Sequence, residues 1–254
     1  MESLERFTEL NEPPARLFAV GDVHGCSAEL SCMLKHLSGP CALSQNDLVV
    51  FIGDYVDRGP DSKGVIDLLL EFQRSFPATI FLKGNHEHML MGFLGLEPSE
   101  GWAYLQNGGA ACLKSYNISL SSPPEEVLNA LPREHIGFLS SLQRYILTEK
   151  FVLVHAGLNP LRDIRSQLDQ DIFWIRDEFI SNIHHFDRTI VFGHTPFHAV
   201  LEHPPYKIGV DTGLVFGNML SCLDLSSGEI HQIKRGENSI IASRLQGFPA
   251  ITGS

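Results

Sequence analysis

Residues 48–59 read Leu-Val-Val-Phe-Ile-Gly-Asp-Tyr-Val-Asp-Arg-Gly, an apolar run that leads into a glycine turn with two carboxylates and a guanidinium. Open α/β sheets bind ligands at the carboxyl ends of their strands, so Asp54 is expected at such an edge. Asp57 and Arg58 follow one turn later and can reach the same crevice. Because a turn of this kind can also serve only as a helix cap, its interpretation depends on whether the arrangement recurs.

The same order of apolar strand, glycine and polar residue occurs at three other places in the chain, and at a fourth an apolar strand leads directly into His155. Residues 17–20 and 79–82 are such strands in the first third, and residues 151–154 and 189–192 are later ones. Apolar residues at helical spacing separate the first three strands, which predicts a βαβαβ arrangement. The polar residues that follow the five strands are Asp22, His24, Asp54, Asn85, His86, His155 and His194.

The wider sequence predicts one α/β domain over residues 1–254. Helical patterns dominate early and strands dominate late, which favours two stacked mixed β-sheets with helices outside, a four-layer αββα sandwich. Loop signals and short amphipathic pieces at about 94–142 indicate a helical cap insertion. Residues 1–15 are polar and end at two prolines, so we expect a loosely attached arm there. Ser27 is the expected N-cap of the first helix.

Composition restricts the possible partners and compartment. No apolar run approaches the roughly 18 residues that a membrane span needs, and the N-terminus lacks a signal-peptide pattern. The five cysteines form no CxxC pair, which favours a reducing cytoplasm over a disulfide framework. The formal net charge of −11 argues against nucleic acid as a partner. A bound cation could nevertheless attract a small anionic substrate.

The donor types at the strand ends favour a transition-metal site. Imidazole nitrogen together with carboxylate and amide oxygen suits Mn²⁺, Fe²⁺ or Zn²⁺ better than Mg²⁺ or Ca²⁺. The set exceeds what one ion needs, so two divalent ions that share a carboxylate are expected, with Asp54 as the bridge and Mn²⁺ as the expected metal. Any one of the four histidines could instead be an ordinary core residue. All four follow strands, whereas the others are interpreted as surface or loop residues: His36, His88, His135, His184, His185, His198, His203 and His231.

Three segments carry a family resemblance: Gly-Asp-Val-His-Gly at 21–25, Gly-Asp-Tyr-Val-Asp-Arg-Gly at 53–59 and Gly-Asn-His-Glu at 84–87. Their order and spacing resemble the signature blocks of the phosphoprotein phosphatase superfamily of calcineurin-like metallophosphoesterases. The resemblance is to its bacterial and phage-type serine/threonine protein phosphatases and the related symmetrical diadenosine tetraphosphatases. The implied ligands are Asp22, His24 and Asp54 for one metal ion, and Asp54, Asn85, His155 and His194 for the other. The other implied site residues are His86 as general acid, Asp57 as its orienting partner, and Arg58, Asn85 and Arg176 as phosphate-binding residues.

The resemblance implies hydrolysis of a phosphomonoester by direct attack of a metal-bound hydroxide. The expected substrate is phosphoserine or phosphothreonine of a protein, with phosphotyrosine or a small phosphoester as further candidates. A symmetrical diadenosine tetraphosphate hydrolase is the alternative, and an inactive phosphate-binding scaffold is a third. The acidic composition of the cap favours a single phosphate over a tetraphosphate. Arg176 could instead form only a surface ion pair with Asp177 or Glu178. The chain lacks the C-terminal signature of the eukaryotic phosphatases, so no regulatory subunit of their type is expected.

Overall fold

The computed structural model describes residues 7–10, 12–99 and 101–246. The strands are β1 (Phe7–Glu9), β2 (Leu17–Val20), β3 (Leu48–Phe51), β4 (Ile80–Phe81), β5 (Tyr145–Leu147), β6 (Phe151–Val154), β7 (Thr189–Phe192), β8 (Leu201–His203), β9 (Lys207–Gly209), β10 (Met219–Asp224), β11 (Glu229–Lys234) and β12 (Ile240–Arg244). The helices are α1 (Ser27–Ser38), α2 (Ser62–Ser75), α3 (Asn85–Phe93), α4 (Gly109–Ser115), α5 (Pro124–Ala130), α6 (Arg133–Ser141), α7 (Asp169–Trp174) and α8 (Asp177–Ile180). Short 3-10 helices occupy Gly101–Ala103, Leu105–Asn107, Ile164–Ser166 and Leu214–Phe216.

The strands form two mixed six-stranded sheets. The first has the order β12-β11-β10-β2-β3-β4, and the second has the order β1-β5-β6-β7-β9-β8. The strands β2, β3 and β4 are parallel, as the predicted βαβαβ arrangement requires, and β10 adds to them in the antiparallel direction. In the second sheet β6, β7 and β9 are parallel, and β5 and β6 form the predicted hairpin. The predicted α/β fold with two mixed sheets is therefore confirmed.

The hydrophobic core has three parts, because successive side chains of the buried strands point to opposite faces of each sheet. Leu17 and Ala19 face the second sheet and share a cluster with Val191 of β7. Phe18 and Val20 point the other way, into the cluster that α1 and α2 cover. On the far side of the second sheet, β6 and β7 pack against α7 and α8. Successive side chains of a strand point to opposite faces, so one buried strand contributes to two of these layers.

Two local predictions at the N-terminal side are wrong. Residues Phe7–Glu9 are not a loose arm, because they form β1, which pairs in parallel with β5; residues 1–6 and 11 lie outside the described part of the chain. Ser27 is the first residue of α1 and not its N-cap, which is Cys26. The Ser27 hydroxyl instead donates to the carboxylate of Asp61 at 2.6 Å. Asp61 is the N-cap of α2, so this contact ties the starts of two helices together.

The segment at 94–142 is helical and packs on the first sheet's outer side. It contains two 3-10 helices and α4, α5 and α6, and residue 100 is not described. Its buried side chains, such as Leu113, Val127 and Phe138, belong to the same cluster as those of α1 and α2. The division into one domain with a cap remains a prediction. Among the described residues, no helix has both the length and the apolar character for a membrane crossing.

Three histidines that the sequence places at the surface or in loops are buried. His135, His184 and His231 are 3%, 1% and 5% exposed. His135 lies 2.9 Å from the Asp67 carboxylate and 2.7 Å from the Tyr116 hydroxyl. These partners come from distant parts of the sequence, which explains why local patterns do not predict the burial.

Candidate metal centre

The carboxyl ends of β2, β3, β6 and β7 and the start of α3 bring the predicted ligands together. Two groups of side chains have ligand atoms within 4.8 Å of one another: His24, Asp54 and His86, and Asp54, His155 and His194. Asp54 belongs to both groups, which is the place that the sequence predicts for a bridging carboxylate. Asp22 joins them through its carboxylate, which accepts the backbone N–H of His194 at 3.1 Å.

The hydrogen bonds of two imidazoles indicate a cation on each side of Asp54. Nδ1 of His24 lies 2.9 Å from the carbonyl of Val56, and Nδ1 of His155 lies 2.9 Å from the carbonyl of Ile52. Donation to a carbonyl fixes the tautomer and leaves a lone pair on each Nε2. Those Nε2 atoms lie 3.3 and 3.4 Å from the two carboxylate oxygens of Asp54. A neutral imidazole whose lone pair points at a carboxylate in this way is repelled by it unless a cation lies between them, so the residues fit two metal ions.

Asn85 completes the second group. Its Oδ1 lies 3.1 Å from Nε2 of His155 and 2.9 Å from Nδ1 of His194. An amide oxygen, two imidazole nitrogens and a carboxylate oxygen thus converge from α3 and from the ends of β3, β6 and β7. This mixture of nitrogen and oxygen donors without thiolate suits Mn²⁺, Fe²⁺ or Zn²⁺.

The electrostatics of the buried groups agree with bound cations. Burial, together with the charge of His155, holds the pKa of His194 well below its usual value, and burial also lowers the pKa of His155. Both rings are therefore neutral at physiological pH, as metal ligation requires. Burial and the nearby carboxylates of Asp211 and Asp54 raise the pKa of Asp22. Burial alone would also raise the pKa of Asp54, but the positive charge that His155, His86 and His24 carry when protonated outweighs burial and holds that pKa low. Divalent cations would relieve this crowding of buried carboxylates.

His86 has the geometry of a held imidazole with one free nitrogen. Its Nδ1 lies 2.7 Å from a carboxylate oxygen of Asp57, and both side chains are at most 1% exposed. Within the described residues, its Nε2 is buried without a hydrogen-bond partner. The backbone N–H of His86 also donates to Asp54 at 3.1 Å. The free Nε2 therefore belongs to a ring that is fixed beside the carboxylate of Asp54.

The two arginines predicted to bind phosphate lie beside different groups of candidate ligands. Arg58 donates from its guanidinium to Nε2 of His24 at 3.1 Å, which agrees with an acceptor at that nitrogen. Its guanidinium also lies over the ring of Phe216, 5.4 Å from the centroid. Arg176 is exposed and donates at 3.1 Å to the hydroxyl of Thr195, the residue after His194. The two guanidinium groups can therefore lie on either side of a substrate bound at the metal centre.

Glu87 supports the centre without contacting a ligand's side chain, and the sequence does not predict this role. Its buried carboxylate accepts backbone N–H groups from Asp54 at 2.9 Å, Tyr55 at 2.7 Å, Val56 at 3.1 Å and Gly84 at 3.0 Å. The turn that it holds carries Asp54 at a φ of 52°. A non-glycine residue in this left-handed region is costly unless its surroundings enforce it. Glu87 supplies that enforcement, and its place in the 84–87 segment is the signal that could have suggested it.

Asp211 is a second unpredicted neighbour of the site. It is 5% exposed, and burial raises its pKa to about 6. It interacts electrostatically with His24, Asp54 and Arg58, and its carboxylate accepts the N–H of Gly213 at 2.8 Å. Asp211 follows β9 by two residues, so the same order of strand and acid could have identified it.

A site of this construction on two stacked mixed sheets defines a metallophosphoesterase. The model of the calcineurin-like phosphoesterase family matches residues 15–217, and the chain belongs to that family. It is accordingly a hydrolase of phosphoesters that uses divalent metal ions.

Named relatives carry two kinds of activity. The asymmetrical bis(5'-nucleosyl)-tetraphosphatase PrpE of Oceanobacillus iheyensis is 30% identical over 226 residues, with 80% of this chain and 85% of that protein covered. Serine/threonine-protein phosphatase 1 of Salmonella typhimurium is 31% identical over 219 residues, covering 81% of this chain and 89% of its own. The crystal structure of a protein proposed to be a diadenosine tetraphosphatase matches with a TM-score of 0.68 at 24% identity, covering 91% of this chain and 98% of its own. That structural likeness concerns the fold alone.

Proposed function

We propose that the chain is a dinuclear phosphatase that hydrolyses phosphomonoesters, with phosphoserine and phosphothreonine of proteins as its main substrates. The main support for a dinuclear site is that Nε2 of His24 and Nε2 of His155 each face a different carboxylate oxygen of Asp54. The ligands in this proposal are Asp22, His24 and Asp54 for one ion, and Asp54, Asn85, His155 and His194 for the other. When bound, two divalent ions polarise the phosphoryl group and supply hydroxide at neutral pH. We expect Mn²⁺ in this role, with Fe²⁺ or Zn²⁺ as alternatives.

The chain's own residues supply the remaining steps. His86, held by Asp57 through its Nδ1, can deliver a proton from Nε2 to the leaving oxygen of the substrate. The asymmetry of the ring supports this role, because one nitrogen is engaged and the other is free. Arg58 and Arg176 can each donate to phosphoryl oxygens that the metal ions leave exposed, since a guanidinium matches the geometry of a phosphate. The intact pairing of His86 and Asp57 also argues against an inactive scaffold.

The surroundings of Arg58 favour a substrate with one phosphate. An open pocket of about 460 Å³ lies beside it, lined by Arg58, Gln106, Asn107, Gly108, Val215 and Phe216. Apart from Arg58, this lining is neutral. A tetraphosphate needs several cations along its length, whereas a phosphopeptide needs one phosphate site and a neutral surface with polar groups. The side-chain amides of Gln106 and Asn107 can form hydrogen bonds with the backbone of such a peptide.

Two of the acidic residues of the cap are paired with basic side chains. Glu97 of the cap forms a salt bridge with Lys83, and Glu134 forms one with Arg74. Both basic partners lie outside the cap, so these carboxylates are compensated and repel an anionic substrate less than the composition suggests. The neutral pocket, and not the charge of the cap, supports the choice of a monoester.

One observation favours a dinucleoside polyphosphate as the second candidate. Phe216 is 64% exposed beside Arg58, and an exposed ring next to a phosphate site can stack on a nucleobase. The sequence suggests the symmetrical enzyme as this alternative, and a relative with the asymmetrical activity adds a second mode of cleavage.

The test compares kcat/KM of the Mn²⁺-loaded protein for a phosphoserine peptide, a phosphotyrosine peptide and diadenosine tetraphosphate. We expect the phosphoserine peptide to be preferred by about tenfold or more. The nucleotide products distinguish symmetrical cleavage, which yields two ADP, from asymmetrical cleavage, which yields ATP and AMP. Phe216→Ala serves as the matched variant, since it should lower kcat/KM selectively for the dinucleotide if the ring stacks on a base. A tenfold preference for diadenosine tetraphosphate would reverse the proposal.

A further inference from the structure

A second cluster of potential metal ligands lies at the other end of α1. It consists of His36 in the last turn of that helix, Cys41 in the loop after it, and His231 in β11. One ligand atom from each of the three residues lies within 4.8 Å of the other two. Nε2 of His36 is 3.2 Å from Nδ1 of His231, and Sγ of Cys41 is 3.8 Å from Nε2 of the same ring.

This cluster is separate from the catalytic centre. The catalytic residue His24 precedes the start of α1 at Ser27, whereas His36 lies nine residues further along the helix. At a rise of 1.5 Å per residue, His36 lies about 13 Å from Ser27 along the helix axis. A ligand of the cluster therefore cannot be shared with the catalytic ions.

The backbone holds two of the three residues in place. Cys41 donates its N–H to the carbonyl of His36 at 3.0 Å, which closes the loop directly under the helix end. The carbonyl of Cys41 accepts from Arg16 at 2.9 Å. His231 belongs to a strand that is paired on both sides, with β10 and with β12. The three side chains thus meet from anchored segments, and little backbone movement is needed to bring them closer.

Thiolate together with imidazole is the donor set of zinc, and it differs from the sulfur-free catalytic set. Tetrahedral zinc places two nitrogen ligands roughly 3.4 Å apart and a nitrogen and a sulfur roughly 3.6 Å apart, given its usual bond lengths. The separations in the cluster, 3.2 and 3.8 Å, are close to these values. The two distances involve different nitrogens of His231, Nδ1 and Nε2. On binding an ion, that ring must therefore turn so that a single nitrogen faces both other ligands.

We propose that His36, Cys41 and His231 form a mononuclear site for Zn²⁺ that ties the end of α1 to the first sheet. Glu229 precedes His231 by two residues on the same strand face and is exposed, so its carboxylate or a water molecule can take the fourth position. Glu229 also interacts electrostatically with both His36 and Cys41. Since the ligands come from three segments separated by up to 195 residues, the ion would act as a structural cross-link of the folded chain.

Cobalt spectroscopy tests this site independently of catalysis. Co²⁺ bound to a thiolate gives an intense sulfur-to-metal charge-transfer band in the near ultraviolet, and the nitrogen and oxygen ligands of the catalytic centre cannot produce one. We expect one equivalent of Co²⁺ to generate this band in the reduced full-length protein, and Zn²⁺ to remove it. Cys41→Ser should abolish the band and lower the zinc content by one ion per chain. Its phosphatase activity with Mn²⁺ should stay unchanged.

Cys32→Ser is the matched control. Cys32 lies one helical turn before His36 but outside the cluster, where its thiol contacts the carbonyl of Asn238 at 3.3 Å, so this variant should keep the band. His36→Gln provides a second test that leaves the thiol intact. It should weaken Zn²⁺ binding by at least about 10- to 100-fold, the loss typical of removing even an outer partner of a metal ligand. The absence of the band in the wild type, or its persistence in Cys41→Ser, would overturn the proposal.

Discussion

The contact between His86 and Asp57 leads to a sharp prediction for Asp57→Asn. The carboxylate accepts from Nδ1 of His86 at 2.7 Å, and neither side chain is more than 1% exposed. Solvent therefore screens the interaction little, and a hydrogen bond to a charged group of this kind is worth roughly 1.5–3 kcal/mol. Asparagine keeps the shape but not the charge that stabilises the proton on the ring. We expect kcat to fall by about 10- to 150-fold for a substrate with a poor leaving group, as follows from that energy.

A comparison of substrates with poor and good leaving groups tests whether His86 acts as the general acid. An alkyl phosphate, such as a phosphoserine peptide, needs a proton on its leaving oxygen, whereas p-nitrophenyl phosphate hardly does. Asp57→Asn should therefore affect the peptide strongly and the nitrophenyl ester weakly, while metal content stays at two ions per chain at the catalytic centre. His86→Asn should show the same pattern with a larger loss, about 10²- to 10⁴-fold. Equal losses for both substrates, or loss of metal from Asp57→Asn, would refute the role of the pair.

Three further predictions concern the metals, the phosphate and the fold. Chelation should abolish activity and Mn²⁺ should restore it, and Asp54→Asn should lose both ions because its carboxylate serves both; full activity after verified metal removal would contradict the dinuclear centre. Arg58→Ala and Arg176→Ala should keep the metals but bind vanadate about 10- to 150-fold more weakly, as expected for a lost charged hydrogen bond; unchanged vanadate inhibition in Arg176→Ala would make that residue structural. Lys207 is buried and donates to three backbone carbonyls at the end of α8, so Lys207→Met should lower the free energy of unfolding by about 1–3 kcal/mol for each carbonyl left unpaired. Urea unfolding measures that change, and a variant as stable as the wild type would disprove it.

The sequence predicts the strands that carry the site because their signal is local. A short buried strand is a continuous apolar run, and the glycine and ligand that follow are adjacent in the chain. The short strands β1 and β8 at the edges of the second sheet are not predicted, since each has three residues and depends on pairing with a distant strand. The same limit applies to Glu87, whose four backbone donors come from two turns that meet only in the folded chain.

The glycines of the sequence motifs have a common steric reason that becomes visible only in three dimensions. A Cβ on Gly84 would lie 2.1 Å from Oδ1 of Asp54, and a Cβ on Gly193 would lie 2.2 Å from Oδ1 of Asp22. In both pairs, the glycine of one motif contacts the proposed metal ligand of another, although the residues are far apart in sequence. The absence of a side chain at these glycines is thus what allows the strand ends to approach closely enough to bring the proposed ligands together. The recurrence of glycine before a candidate ligand therefore reflects the close packing of these turns against one another. Because that packing requires glycine, the site can be recognised from the sequence.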